Sequence, residues 1–375
     1  MISVPAPGNV IPLMGWLGTL VLIAFIVYAT SNLRTTALCT ALLLGCVLLG
    51  MWTYTLDTLA MTMGAVVLSL AIGLPLGVWA GLSDRVMSAL RPGLDLAQIL
   101  PTLVYLAPLA LVFLIGIASA TIATMIYSIP ICIRITAHAI RTLRASPLEA
   151  ATSMGSTRWQ LLTKVQLPMA KRTIILGINQ TTLAALSFVV IAALIGAPGL
   201  GKPVVEALII RDVGDGVVAG LAVVLLAIML DRATTAAVVH SDEVLDYSDR
   251  QRLIRRIGLA VFGLGTIAAI VASRYLLWAA VVPEQLEIGE RIGEVAGTVV
   301  TWITTNLSYL TTGLNEFITV TVLNPVEAVL ANSPWYLTVI MISLLAVIIG
   351  GRTAGLVSVI LLTAIVVIGL WNDTM

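Results

Sequence analysis

The stretch whose residue types come nearest to a reaction centre is Gly196-Ala-Pro-Gly-Leu-Gly201-Lys202. Two glycines and a lysine at this spacing are what a phosphate-binding loop needs: backbone amides to cradle the phosphates and an ammonium group to reach them. The pattern then requires Ser or Thr to hold magnesium, and Pro203 supplies neither a hydroxyl nor an amide hydrogen. Such a loop must also join a buried strand to a helix, whereas this turn follows a long apolar run at what is read below as its external end. Phosphate chemistry is therefore excluded. The sequence holds no Gly-x-Ser-x-Gly elbow, His-Glu-x-x-His helix or aspartate pair, so an intramembrane enzyme has nothing to work with. Cys39, Cys46 and Cys132 lack metal-ligand or CxxC spacing and read as small buried hydrophobes, with no metal site or redox role. His138 and His240 stand alone near helix ends, where solvation or packing accounts for them.

A second pattern does mechanical rather than chemical work. Ser146-Pro-Leu-Glu-Ala-Ala-Thr-Ser-Met-Gly155 begins as a helix should, with Ser146 as cap, Pro147 at the first helical position and Glu149 three residues after the cap. Gly155 ends it, because glycine takes the left-handed conformation freely. A second helix is expected from Ser156 or Thr157 to Pro168, which makes two short helices joined by a glycine elbow. A rigid knob of this kind transmits force from a partner; a floppy loop would not.

The elements that must position this knob are membrane helices. With 59% hydrophobic and only 10% charged residues, and a mean hydropathy of +1.07, the chain is too apolar for a water-soluble core. Its net charge of +1 and scattered basic residues offer nothing to nucleic acid. A bilayer asks for roughly 20 apolar residues per helix. About ten such runs are present, at 13–30, 35–52, 56–82, 102–117, 118–137, 173–195, 217–230, 258–280, 335–350 and 353–370. The first lacks the basic start of a cleaved signal and reads as a span. Threading the runs alternately puts 31–34, 83–98, 138–172, 231–257 and 351–352 on one side. That side carries every Lys and Arg except Lys202, Arg211, Arg274 and Arg291, which is 16 of 20 counting Arg134. The positive-inside rule makes it cytoplasmic and places the N-terminus outside. In the outer segment 281–334, Glu284, Glu287, Glu290 and Glu294 recur at helical spacing. They read as the solvated face of an amphipathic helix at the membrane surface, with docking of an external partner as the sharper alternative.

The pattern Glu149-Ala150-Ala151, then Gly155, then Leu167-Pro168 resembles the EAA motif of binding-protein-dependent importer permeases. Pro101 to Pro108, Ile174 to Ser187 with Asn179-Gln180, the Gly199-Leu200-Gly201 turn and Ile228 to Arg232 extend the resemblance to the glycine betaine, proline betaine and choline permeases, over roughly Leu56 to Arg232. It implies an all-α polytopic membrane protein with a five-helix type I importer core, in a bacterial-type cytoplasmic membrane. The domains expected are N-terminal helices in 1–55, the core in 56–232 with its coupling loop at 138–172, a linker in 233–257, and further helices in 258–375. The resemblance further implies two ATPase subunits that hold ATP and Mg, an extracytoplasmic solute-binding protein or domain, and a second permease copy or half. The chain itself is then a transport subunit without an enzyme site or cofactor. Glu149, Ala150, Ala151, Gly155, Leu167 and Pro168 would form the ATPase-coupling element.

The solutes this family suggests are glycine betaine, choline, carnitine, proline betaine and trimethylamine N-oxide. An amino acid or other small solute is the alternative. Polar and aromatic residues within spans are the candidates for the solute path: Tyr105, Phe113, Asn179, Gln180, Thr182 and Ser187. For each, a hydrogen bond between helices is the competing role. Tyr105, Phe113 or Trp79 could offer cation–π contacts to a quaternary ammonium. An ion-coupled carrier would need ionisable groups at mid-membrane, whereas Asp57, Arg134 and Arg274 fall near span ends. Finally, Val366-Val-Ile-Gly-Leu-Trp371 repeats the close of the second span, Val47-Leu-Leu-Gly-Met-Trp52. This suggests one permease core followed by the opening of another, as in a tandem permease or one completed by a split partner.

Overall fold

The computed structural model describes residues 14–243, 249–330 and 333–371, and all regular structure among them is helical. The helices are α1 (Gly15–Thr30), α2 (Leu33–Leu48), α3 (Trp52–Leu82), α4 (Asp84–Ile99), α5 (Thr102–Phe113), α6 (Ile117–Arg141), α7 (Ala145–Ser153), α8 (Arg158–Leu161), α9 (Leu167–Ile191), α10 (Gly201–Ile210), α11 (Val213–Glu243), α12 (Asp249–Tyr275), α13 (Leu277–Ala280), α14 (Gly289–Asn306), α15 (Ser308–Glu316), α16 (Asn324–Leu330) and α17 (Trp335–Ile368). Two compact units divide between Gly297 and Thr298.

Within the first unit, α3 and α6 cross in close contact because one face of α3 carries almost no side chains. A β-carbon added to Gly73 would lie 2.8 Å from Cys132, one on Gly77 would lie 2.6 Å from Thr136, and one on Gly81 would lie 2.9 Å from Ile140. One turn earlier Ser69 and Ser128 share a hydrogen bond of 2.7 Å. Residue number rises along both helices together, so α3 and α6 run parallel. The chain between them must therefore return, and α4 and α5 together make that return.

Around this pair α9 packs on α6, with Gly177 against Ile135. Next comes α11 beside α9, and then α2, whose Cys39 and Cys46 thiols approach the Met229 and Ala222 carbonyls of α11 at 3.6 and 3.7 Å. All three cysteines are free and buried, as their apolar settings predicted. The first helix places Trp16, Leu20 and Val27 in the core it shares with α2 and α11, and it also pairs with α12: Tyr28 stacks on Phe262 with ring centroids 4.8 Å apart. Arg255 also donates to the Ala29 carbonyl at 2.9 Å, and the Trp16 indole donates to the Trp278 carbonyl at 2.8 Å.

Several boundaries differ from expectation. Residues 83–98, read as a hydrophilic connection, form the amphipathic helix α4, bent by 95° from α5. The 12-residue α5 stops at Phe113, short of the expected 117, because Leu114 (φ 64°, ψ 160°) and Gly116 (φ 147°) leave helical geometry. Among the described residues six helices qualify as spans by length and composition, or seven if α4 and α5 count as one, with α1 and α2 as shorter apolar helices. In the second unit α17 is two helices meeting at non-helical Gly351 (φ 80°). A β-carbon on Gly355 would fall 2.1 Å from Val347. Eight residues of continuous helix rise about 12 Å, so the chain folds back there, and the spans expected at 335–350 and 353–370 are the two arms. The four glutamates do not share one helix. Glu284 and Glu287 precede α14, on a 3₁₀ turn and the loop after it, and only Glu290 and Glu294 lie on α14. Gly289 causes the offset: a β-carbon added to it would fall 2.3 Å from the Leu49 carbonyl oxygen, so only glycine lets the start of α14 seat on the end of α2. The starting residue of the first predicted span and the side chains of His240 and Glu284 lie outside the described residues.

The α3–α6 contact predicts that Gly77→Leu lowers stability by about 1–3 kcal/mol, the usual cost of overpacking. Gly93→Ala, with nothing within 4 Å of its added carbon, should not. Thermal melting of the detergent-solubilised protein reads both.

Candidate functional site

The connection from α6 to α9 carries the elbow read from the sequence. Gly155 takes φ 78°; its N–H reaches the Thr152 carbonyl at 3.0 Å, and the Ser156 N–H reaches the Ala151 carbonyl at 3.2 Å. These two bonds close a helix whose last carbonyls would otherwise be orphaned. Any other residue in the left-handed conformation would cost about 1 kcal/mol. At the other end the expectation fails. α7 begins at Ala145 with Arg144 as cap and no side-chain cap bond, which puts Ser146 inside the helix. Pro147 still falls in the first turn, where no amide hydrogen is required.

The second arm is capped as a helix start should be: Thr157 accepts from the Gln160 N–H, and the Gln160 side chain accepts from the Thr157 N–H. It does not stop at Pro168. Five residues of π-helix, Leu162–Gln166, carry it directly into α9, with Leu167 N–H bonded to the Leu162 carbonyl. Pro168, lacking an amide hydrogen, sits in the first turn of α9 and breaks nothing. The elbow is thus continuous with the membrane helix. Glu149, Ala150 and Gly155 are exposed, Ala151 is buried, Leu167 is half-buried and Pro168 is exposed. Beside Gly155 the structure adds two residues the sequence reading passed over, Met154 at 81% and Trp159 at 72% exposure. A tryptophan in a hydrophilic connection was the available signal.

The candidate path residues separate. Asn179 is buried between helices: its amide nitrogen donates to Asp231 and Thr235 at 3.3 Å each, and its oxygen accepts from Thr234 at 2.6 Å. Thr182, also buried, donates to its own helix at Ile178. Asn179 joins α9 to α11, the competing role foreseen for it, whereas the Thr182 hydroxyl is used within α9. Gln180 and Ser187 face the opposite way and are exposed, on one stripe with Leu176 and Ile191. Tyr105 of α5 stacks on Phe188 of α9 at 5.9 Å and 8°, and Phe188 meets Tyr127 of α6 at 5.2 Å. The Tyr105 hydroxyl is buried without a hydrogen-bond partner. Phe113 lies at the strained end of α5, 44% exposed, and Trp79 is also exposed. The structure therefore brings Tyr105 together with Phe188 and Tyr127, which the sequence did not group, and separates it from Phe113 and Asn179.

The phosphate-loop lookalike is a packing device. The hydroxyl of Thr58 on α3 accepts from the Leu200 N–H at 2.7 Å, and Ala197 and Leu200 are fully buried. The amide that would cradle a phosphate is already used.

Residues 73–243 match the family described as "binding-protein-dependent transport system inner membrane component". The glycine betaine/carnitine transport permease protein GbuB of Listeria monocytogenes is 46% identical over 188 residues, half of this chain and 67% of GbuB. The chain belongs to this permease family. It is a multi-pass membrane protein. The glycine betaine transport system permease protein OpuAB of Bacillus subtilis is 45% identical over 186 residues, half of the chain and 66% of OpuAB. The trimethylamine N-oxide transport system permease protein TmoV of Ruegeria pomeroyi is 29% identical over 331 residues, covering 87% of this chain but 49% of TmoV. The chain thus spans between about half and two thirds of these relatives' lengths. Among solved structures, the inward-facing MetNI methionine ABC transporter aligns at 22% identity and a TM-score of 0.44, over 49% of this chain and 92% of that one.

Asn179→Ala should lower the melting temperature by the equivalent of about 1–3 kcal/mol, because it strips partners from Asp231 and Thr234 in the helix interface. Gln180→Ala, on the open stripe, should leave it unchanged. An Asn179 variant with unaltered melting would remove the residue from the α9–α11 joint.

Proposed function

We propose that this chain is the membrane-spanning permease of an ATP-driven importer for quaternary ammonium and related compatible solutes, delivered by an extracytoplasmic binding protein or domain. The observation that carries the reading is the rigid elbow at Gly155, joined without a break to α9, in a chain whose relatives include a glycine betaine/carnitine and a trimethylamine N-oxide permease. Glu149, Ala150, Ala151 and Gly155 form the surface that docks on an ATPase subunit, with Met154 and Trp159 as its apolar anchors and Leu167-Pro168 as the root of the lever. Each coupling surface takes one ATPase, and the permease works as a pair with a second copy or half. ATP and Mg reside on the partner, since the only phosphate-loop lookalike has its Leu200 amide bonded to Thr58.

In this mechanism closure of the ATPases around ATP draws the elbows together and opens the path outward, and hydrolysis resets it. The basic loops, the elbow among them, face the cytoplasm and the N-terminus lies outside. The path runs beside α5 and the open stripe of α9, where Tyr105, Gln180 and Ser187 line it. Aromatic faces there suit a trimethylammonium group, each contact contributing on the order of 1 kcal/mol.

Uptake of labelled glycine betaine into proteoliposomes holding the permease, its ATPase and its binding protein tests the reading. Competition by choline, carnitine, proline betaine and trimethylamine N-oxide ranks the solutes, and ATP hydrolysis without uptake of any of them would reject the solute class. Gly155→Pro removes the N–H bonded to Thr152 and cannot adopt φ 78°. It should abolish uptake while the protein still inserts in the membrane, and normal uptake would sink the coupling role.

A further inference from the structure

The loop between α6 and α9 can move α9 directly, yet the aromatic residue proposed for the path, Tyr105, lies on α5, which that loop does not touch in sequence. Three side-chain links bridge the gap. Arg134 of α6 forms an ion pair with Asp95 in the last turn and a half of α4, the two side chains 35% and 44% exposed. Arg141, in the last turn of α6, pairs with Asp84 at the start of α4 at 2.8 Å. The same guanidinium donates twice, at 3.2 and 2.7 Å, to the Ala80 carbonyl, one of those left open where α3 ends. Between the two ion pairs Val86, Met87 and Leu90 pack against the cluster that Leu94 forms with Ala80, Ile133 and Ala137. α4 is therefore held at both ends and in the middle, antiparallel to α6. It then turns through 95° into α5, whose far end is broken at Leu114–Gly116.

We propose that Arg134 and Asp95, supported by Arg141, are positioning residues that make α4 and α5 follow α6, so that movement of the coupling elbow reaches Tyr105. This rests on reading that elbow as the ATPase-coupling element. An apolar seat alone lets two helices slide along each other; a charge pair at each end fixes their register. Half-exposed ion pairs contribute little to stability, so the pair's effect is on coordination. The unpartnered Tyr105 hydroxyl agrees with α5 being a moving part, since a second position of the helix can supply the bond that this one lacks.

The test uses the complete complex in lipid nanodiscs and in proteoliposomes. Spin labels at Leu96→Cys on α4 and His138→Cys on α6, both exposed positions, report the distance between the helices, while the three native cysteines are buried and escape labelling. That distance should be the same in nucleotide-free and ATP–vanadate-trapped complexes. Arg134→Gln and Asp95→Asn should each broaden it and raise the ATP hydrolysed per solute imported roughly fivefold or more, a typical coupling loss. Exchanging the charges, Arg134→Asp with Asp95→Arg, should restore both. A wild-type distance that changes on trapping, or single variants with wild-type distance and ATP economy, would overturn the proposal. A purely structural role predicts lower yield in all three variants with unchanged ATP per solute. The distance needs no solute, so a complex that keeps it fixed yet imports none of the compounds supports the strut and rejects only the solute class.

Discussion

The close crossing of α3 and α6 is the constraint on which the rest depends. Inside a bilayer, lipid tails are as apolar as leucine, so two helices associate by intimate packing and by hydrogen bonds rather than by escape from water. The row Ser69, Gly73, Gly77 and Gly81 meets Ser128, Cys132, Thr136 and Ile140 at distances that a single added carbon would violate. This fixes the register of two parallel spans. The return segment between them must then be short and is forced to bend, which is why α4 and α5 take their broken path and why α5 brings Tyr105 against α9.

The second consequence of that packing is a division of labour on α9. One face is committed to α11 through the hydroxyls and amide around Asn179, and the other is left open with Gln180 and Ser187. A polar residue within a membrane helix thus has two uses, and sequence alone could not tell Asn179 from its neighbour. The answer depends on which side of α9 meets α11, and that is a property of the assembled bundle.

What was legible in the sequence follows from how local each signal is. Gly155 declares the elbow because a left-handed residue is decided by its own backbone. The cap at Thr157 and the placement of the apolar runs are equally local. Three features were not legible. The helical nature of α4 was hidden because Arg85, Arg91 and Asp95 make it look like a hydrophilic connection, although its apolar side is seated on α3 and α6. The passage through Pro168 was misjudged because a π segment joins α8 to α9 without a break and places the proline in the first turn of α9, where its missing amide hydrogen is tolerated. The glutamates of the outer segment fell out of phase because Gly289 docks on the Leu49 carbonyl, a contact between residues 240 positions apart. The phosphate-loop pattern shows the reverse error: a motif complete enough to attract notice, whose glycines permit tight turns and whose amide serves Thr58.

The π segment between the elbow and α9 also acts as a phase setter. Successive residues of an α-helix are turned by about 100° from one another, so the direction in which the elbow points, relative to the face of α9 buried against α11, is fixed by how many residues lie between them. The wide turn at Leu162–Gln166 accommodates one residue more than an α-helix would. Its loss would leave both arms folded and swing the knob a quarter turn or more around the helix axis, aiming it away from whatever it meets. Length in this short segment is therefore under a stricter constraint than residue identity: side chains there can be exchanged, whereas an insertion or deletion would re-aim the whole lever.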